Sequence, residues 1–224
     1  MRRYRLSTLA ALLALPAWAG CHPQPVKKPP SAPSWPSDAV FQAYPVIHCI
    51  PEALPRPFLN DIKRAGKDEA TATEVFHGTR DLVLTTLNLF LATGRWTGER
   101  AQINPTREPP RTGTLPECRM FELALADQIT LRLPPSVSGA PYIVPIAMFG
   151  YDYESASGGK APRVTVRIAA LLARGDGHVL RTLRAIASTD YAQTSPVYQE
   201  RSSQEVAQDL TEQLAKNLAQ AIQE

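Results

Sequence analysis

Apolar and polar positions change period several times along this chain, and the local period sets the element predicted at each point. Residues 44–50 (YPVIHCI) are a short apolar run bounded by prolines, which reads as the first strand, with His48 alternating between Val46 and Ile50. Residues 51–67 are polar and proline-bearing and read as a loop. From 70 to 93 the period lengthens: Val75, Val83, Leu87, Phe90 and Leu91 recur at helical spacing, and Gly94 stands where a C-terminal cap is wanted. Gly78 inside that helix costs about 1 kcal/mol relative to alanine, which points to close packing there. Residues 94–113 read as a polar loop. A second helix is predicted over 116–133, with Pro116 in its first turn and Phe121, Leu125 and Ile129 four apart before Pro134 blocks continuation. Its end, 130–133, also alternates like a strand.

The clearest sheet signal follows. Residues 142–153 (YIVPIAMFGYDY) are rich in strand formers, with Pro145 expected at an edge or a bulge. A glycine-bearing turn over 155–162 leads to 163–173, where Val164, Val166, Ile168 and Leu172 share one face. Arg174-Gly175-Asp176-Gly177 supplies hairpin chemistry, and the chain returns through 178–188. Ser202 and Glu205 then form a capping box, and Val206, Leu210, Leu214, Leu218 and Ile222 follow at intervals of four, flanked by Ala207, Ala215 and Ala221. That helix lacks the sustained heptads of a coiled coil and is expected to cover one face of the sheet. The predicted class is α+β: a two-layer domain whose mainly antiparallel sheet, the first strand plus a C-terminal three-strand meander, is covered by two or three helices.

The N-terminus changes the picture of where this domain works. Arg2, Arg3 and Arg5 precede an apolar run over 6–15 and small residues before Cys21, the order of a secretory signal peptide. An apolar run of about ten residues is half the roughly 20 that a membrane-spanning helix needs. The formal charge of +3 arises from those three arginines, since positions 1–20 hold no acid and the remainder balances 21 basic against 21 acidic residues. No nucleic-acid partner is implied, because that would need a basic patch on the folded part.

Ala19-Gly20-Cys21 behind the apolar run resembles a bacterial lipobox, in which cleavage precedes the cysteine and the thiol carries lipid; Trp18 replaces the usual aliphatic residue. Ala17-Trp18-Ala19 also reads as an ordinary A-x-A cleavage site that would leave Cys21 free. Prolines at 23, 25, 29, 30, 33 and 36, among Ser and Lys, make an extended spacer. About 20 such residues at roughly 3.1 Å each span some 60 Å. The organisation expected is a signal peptide over 1–20, a lipidated Cys21 with a proline-rich tether over 21–43, and one α+β periplasmic domain over 44–224. With Cys21 lipidated, Cys49 and Cys118 remain as a pair, either bridged in an oxidising compartment or present as two buried thiols.

Catalytic signatures are missing. The histidines, His22, His48, His77 and His178, make no H-x-x-x-H pair, and there is no G-x-S-x-G elbow. Ser157-Gly158-Gly159-Lys160 lacks the leading glycine of a phosphate loop and lies between strands, so it reads as a turn; Arg174-Gly175-Asp176 is explained by a hairpin tip. The chain reads as a non-enzyme with no cofactor and no metal. Two alternatives stay open: a lipid- or ligand-binding module with a cavity between sheet and helices, and an exported enzyme with a dispersed site around His48 or His178.

The second half carries a resemblance. Residues 142–151 (YIVPIAMFGY), 163–180 (RVTVRIAALLARGDGHVL) and the capped C-terminal helix are similar in layout to auxiliary lipoproteins of ABC-type lipid transporters. Curli-type secretion lipoproteins and lipoprotein activators of penicillin-binding proteins share that layout. The resemblance covers 140–224 plus the signal and transfers no site residues. It implies a non-catalytic, lipid-anchored accessory protein of an envelope transport or assembly complex, with the membrane and an envelope complex as partners. His22 stands after the cysteine where an inner-membrane retention signal would show Asp, which by the same resemblance favours the outer membrane.

Overall fold

A computed structural model describes residues 39–92, 101–105, 111–126, 131, 142–191 and 201–224. The chain divides into two units, Met1–Pro33 and Ser34–Glu224, and the described residues all belong to the second. The elements run β1 (Ala39–Ala43), β2 (Ile47–His48), α1 (Arg56–Arg64), α2 (Glu69–Ala92), β3 (Ala101–Pro105), β4 (Arg111–Thr112), α3 (Leu115–Leu125), β5 (Tyr142–Val144), β6 (Ile146–Glu154), β7 (Arg163–Arg174), β8 (Val179–Asp190) and α4 (Ser203–Gln223). The predicted α+β class holds. Strands β6, β7 and β8 form the expected antiparallel meander, with Val164 opposite Tyr153 and Thr189. Its turns are those the sequence predicts: Lys160 N–H donates to Ser157 C=O at 2.9 Å, and Gly177 N–H to Arg174 C=O at 2.9 Å.

The structure departs from several of these expectations. Residues 39–43 are not tether but β1, which pairs in parallel with β3 and β5, so the sheet is mixed and its folded unit starts before Tyr44. The stretch read as a loop over 51–67 contains α1, built on one apolar turn, Phe58 and Ile62, both buried. The loop over 94–113 likewise contains β3 and β4. Such short strands give no alternation long enough to register. Gly78 was expected to mark close packing in α2, yet an added Cβ there would meet nothing within 4 Å. In α3 the helix ends at Leu125, short of the predicted Leu133. Gly94 lies outside the described residues.

Pro145 sits neither at an edge nor in a simple bulge. It separates β5 from β6 in the sheet interior, opposite the break between β1 and β2 that holds Pro45. Neither proline has an N–H to donate, so the ladder cannot continue there. Other groups close the gap. Leu171 N–H donates to Pro145 C=O at 3.0 Å, Tyr44 N–H to Val144 C=O at 3.2 Å, and Val46 N–H to Asn88 Oδ1 on α2 at 3.1 Å.

Alternation along the strands sorts the core into two faces. One face packs Val144, Ile146, Met148, Val164, Val166 and Ile168 against Phe58 and Ile62 of α1, Phe76, Val83 and Leu87 of α2, and the α4 stripe. Val206, Leu210, Leu214, Leu218 and Ile222 are each no more than 2 % exposed, and each such side chain contributes about 1.5–3 kcal/mol relative to exposure. The Ser202–Glu205 capping box forms as the sequence predicts, with Glu205 N–H donating to Ser202 Oγ at 3.2 Å and Ser202 N–H to Glu205 Oε2 at 2.7 Å. The opposite face carries a smaller cluster in which Phe121 and Ala124 of α3 cover Ile47, Ala147 and Leu171.

Helix α4 also masks an edge. Among the described residues β8 pairs only with β7, and its outer backbone groups would be a template for another strand. Asn217 Nδ2 donates to Ile186 C=O at 2.8 Å, and Gln213 Oε1 accepts from Ser188 N–H at 3.3 Å.

Candidate functional site

Cys49 and Cys118 are joined in a disulfide, with Cα atoms 5.6 Å apart and a sequence separation of 69. The bridge ties the end of β2 to α3. Helix α3 is oriented by a capping box, in which Thr114 N–H donates to Glu117 Oε2 at 2.9 Å and Glu117 N–H to Thr114 Oγ1. Between them Gly113 N–H donates to His48 C=O at 3.1 Å. A Cβ on Gly113 would lie 2.7 Å from Ile47 Cγ2 and 2.8 Å from Cys118 Sγ, so only glycine lets the loop pass this closely.

On the other side of β2 the sequence-predicted His48 is 4 % exposed. Its Nε2 shares a hydrogen bond with Thr112 Oγ1 of the adjacent β4, and its Nδ1 has no partner among the described residues. Burial holds the imidazole below its ordinary pKa, and the nearby Arg80 guanidinium pushes the same way, against Asp81 and Glu52. Arg80 of α2 is itself buried, donating from Nε to Asp81 Oδ1 at 3.0 Å and from Nη1 to Glu52 Oε2 at 3.4 Å. His77 Nδ1 lies 3.8 Å from the same Glu52 oxygen. Tyr151, buried beside them, has its phenol pushed well above the ordinary value by burial. Thus two of the four histidines meet in one polar cluster, whose two carboxylates balance a buried guanidinium.

His178 is placed elsewhere, at the β7–β8 hairpin, where its N–H donates to Asp176 Oδ1 at 3.0 Å. Cys21 and His22 lie outside the described residues. Among the described residues no group of three or more His, Cys, Asp or Glu side chains is placed to hold a metal ion, and no helix is long and apolar enough to cross a membrane.

A second feature is a cavity of about 260 Å³ lined by Phe58, Ile62, Lys67, Asp68, Thr71, Ala72, Val75 and Tyr191, none of which belongs to the polar cluster. Its walls follow from the α1–α2 connection. Helix α1 ends in a left-handed Gly66 at φ 64°, with Lys67 N–H returning to Ile62 C=O at 3.2 Å, the geometry of a Schellman turn. This swings α2 back alongside α1, so that Phe58 and Ile62 face Ala72 and Val75. Tyr191 closes one wall within an aromatic group, its ring centroid 5.7 Å from Tyr153 and 6.1 Å from Phe58. Its phenol makes no hydrogen bond of acceptable geometry among the described residues, and burial raises it to about 12; Thr79, whose hydroxyl donates to Val75 C=O at 2.9 Å, offsets part of the rise. The cavity is not evident from the sequence, because the stretch 51–67 that supplies α1 has the polar, proline-bearing composition of a loop. The available signal was Phe58 and Ile62 four apart between Pro57 and Gly66.

Compared with known proteins, the chain matches no family model and no curated protein. Among solved structures it is similar to lipoprotein GNA1162 from Neisseria meningitidis, at 14 % identity and a TM-score of 0.34, covering 68 % of this chain and 83 % of that one. Protein XCC0632 from Xanthomonas campestris, of family DUF330, shares 13 % identity at a TM-score of 0.37, covering 85 % and 89 %. The hypothetical protein CT253 from Chlamydia trachomatis shares 10 % identity at a TM-score of 0.39, covering 82 % and 98 %. The neighbours thus include a bacterial lipoprotein, and at these scores the likenesses carry no weight for what this chain does.

Proposed function

We propose that this chain is an exported, lipid-anchored, non-catalytic accessory protein of a cell-envelope transport or assembly complex, held at the periplasmic face of a bacterial membrane, the outer in preference to the inner. One observation carries the reading: Cys21 stands directly behind an apolar run and a small residue and ahead of a proline-rich spacer, an arrangement that serves to tether a folded domain. The Cys49–Cys118 bridge supports it, because such bonds persist in oxidising compartments. Transport is favoured over other assembly roles by the resemblance of residues 142–224 to auxiliary lipoproteins of ABC-type lipid transporters.

The anchor confines the domain to a shell within about 60 Å of the bilayer, which raises its effective concentration at a membrane complex. Crosslinking in intact cells followed by affinity recovery of the full chain tests this. A membrane-embedded permease or synthase is expected to be recovered with the wild-type chain, and Cys21→Ser is expected to lose most of that recovery. Crosslinking that captures no envelope protein would contradict the accessory role.

A further inference from the structure

The sheet face covered by α3 supports a conclusion that depends neither on the anchor nor on an envelope partner. We infer that the Cys49–Cys118 bond is a redox clasp: reduction by a dithiol frees α3 from the sheet and uncovers Ile47, Ala147 and Leu171 as an apolar patch. The chain is built as a strap across that patch. At one end Gly113 N–H donates to His48 C=O at 3.1 Å, and at the other Leu131 N–H donates to Gly177 C=O at 3.0 Å on the β7–β8 hairpin. Helix α3 lies between these two ties, and the disulfide fastens it to the end of β2.

Apart from the bond, the apolar hold on the helix is small. Within α3 the buried residues are Phe121 and Ala124, one ring and one methyl group set against Ile47, Ala147 and Leu171. Leu115 in its first turn is exposed. The capping box and the Arg119–Glu122 ion pair at 2.9 Å are made within the helix and travel with it. A helix of 11 residues is marginal in water without a packing partner. The covalent tie raises its effective concentration at the sheet, and cutting that tie shifts the balance to the open strap. The patch itself does not need the helix. Ile47 pairs with Ala147 in the ladder, and Leu171 N–H donates to Pro145 C=O at 3.0 Å, so opening uncovers a formed sheet face.

The bond is placed to be reached. Cys49 packs at the margin of the cluster, and both cysteines are half-buried. A thiolate of the dithiol attacks one sulfur and breaks the S–S bond, giving a mixed disulfide and a cysteine thiolate that takes up a proton. The second thiol then displaces the other cysteine. Each cysteine thus gains an electron and a proton, and the dithiol leaves oxidised as its own disulfide.

Hydrogen exchange read by mass spectrometry tests the inference on the full chain carrying Cys21→Ser, in which Cys49 and Cys118 are the remaining cysteines. Exchange is compared before and after dithiothreitol, with reduction verified by thiol count. Amides of 115–125 are expected to exchange about tenfold faster after reduction, while those of β7 and α4 change far less. Cys49→Ser combined with Cys118→Ser should show the fast exchange without reductant. Phe121→Ala in the oxidised chain should accelerate exchange less than reduction of the wild type does, because the bond still holds the helix. An apolar fluorescent dye should gain emission with the reduced chain and not with the oxidised one. Unchanged exchange after verified reduction, equal acceleration in α3 and β7, oxidised Phe121→Ala exchanging as fast as the reduced wild type, or no gain in dye emission would overturn the inference. None of these outcomes bears on the accessory role, which is read by crosslinking to the partner.

Discussion

Two residues show how tightly the β2 region is built. Gly113 passes between Ile47 and the Cys118 sulfur, where a Cβ would approach to 2.7 and 2.8 Å, well inside van der Waals contact. Neither neighbour is free to yield, one being a buried strand residue and the other half of a disulfide. Gly113→Ala is therefore expected to cost about 1–3 kcal/mol by overpacking, read as a lower urea midpoint with an unchanged slope. His48 makes a pH prediction. Its pKa is lowered in the folded state by burial, from an unfolded value near 6.5, so the unfolded chain takes up the proton first. Stability is then unaffected well above pH 6.5 and declines as pH falls below it. Urea unfolding at pH 7.5 and 5.5 should show a larger loss for the wild type than for His48→Asn; equal losses would mean that His48 titrates alike in both states.

At the scale of elements, the disulfide links β2 to α3 across 69 positions. Closing a loop of that length contributes roughly 4 kcal/mol in the chain-entropy model. Reduction, or the Cys49→Ser and Cys118→Ser pair, is expected to lower stability by up to that amount, and an unchanged unfolding midpoint after verified reduction would refute it. What the sequence made legible follows from length. The meander, α2 and α4 carry periodic patterns over 9 to 24 residues, long enough for burial on one face to show. Strands of two to five residues, such as β1, β3 and β4, form through pairing with distant partners and leave no local trace. Pro145 illustrates the difference: the sequence marks a break, but only the fold brings Pro45 opposite it and Asn88 across to take up the Val46 N–H. The polar cluster was half legible, since His48 stood out in its strand while Arg80 and Glu52 come together only through helix packing.

At the scale of the whole molecule, a folded unit with one large core and a masked β8 edge follows a segment whose composition suits a tether. Position 21 decides how these parts work together. Removing the first 20 residues cancels the net charge, and modifying Cys21 leaves the remaining cysteines as the pair that the fold joins. Lipidation of Cys21 is the step on which the proposed role depends, and intact-mass measurement of the mature protein from membranes reads it. A chain beginning at Cys21 with the added mass of a diacylglycerol and further acylation is expected; a chain beginning at Gly20 with an unmodified Cys21 would overturn the proposed anchor.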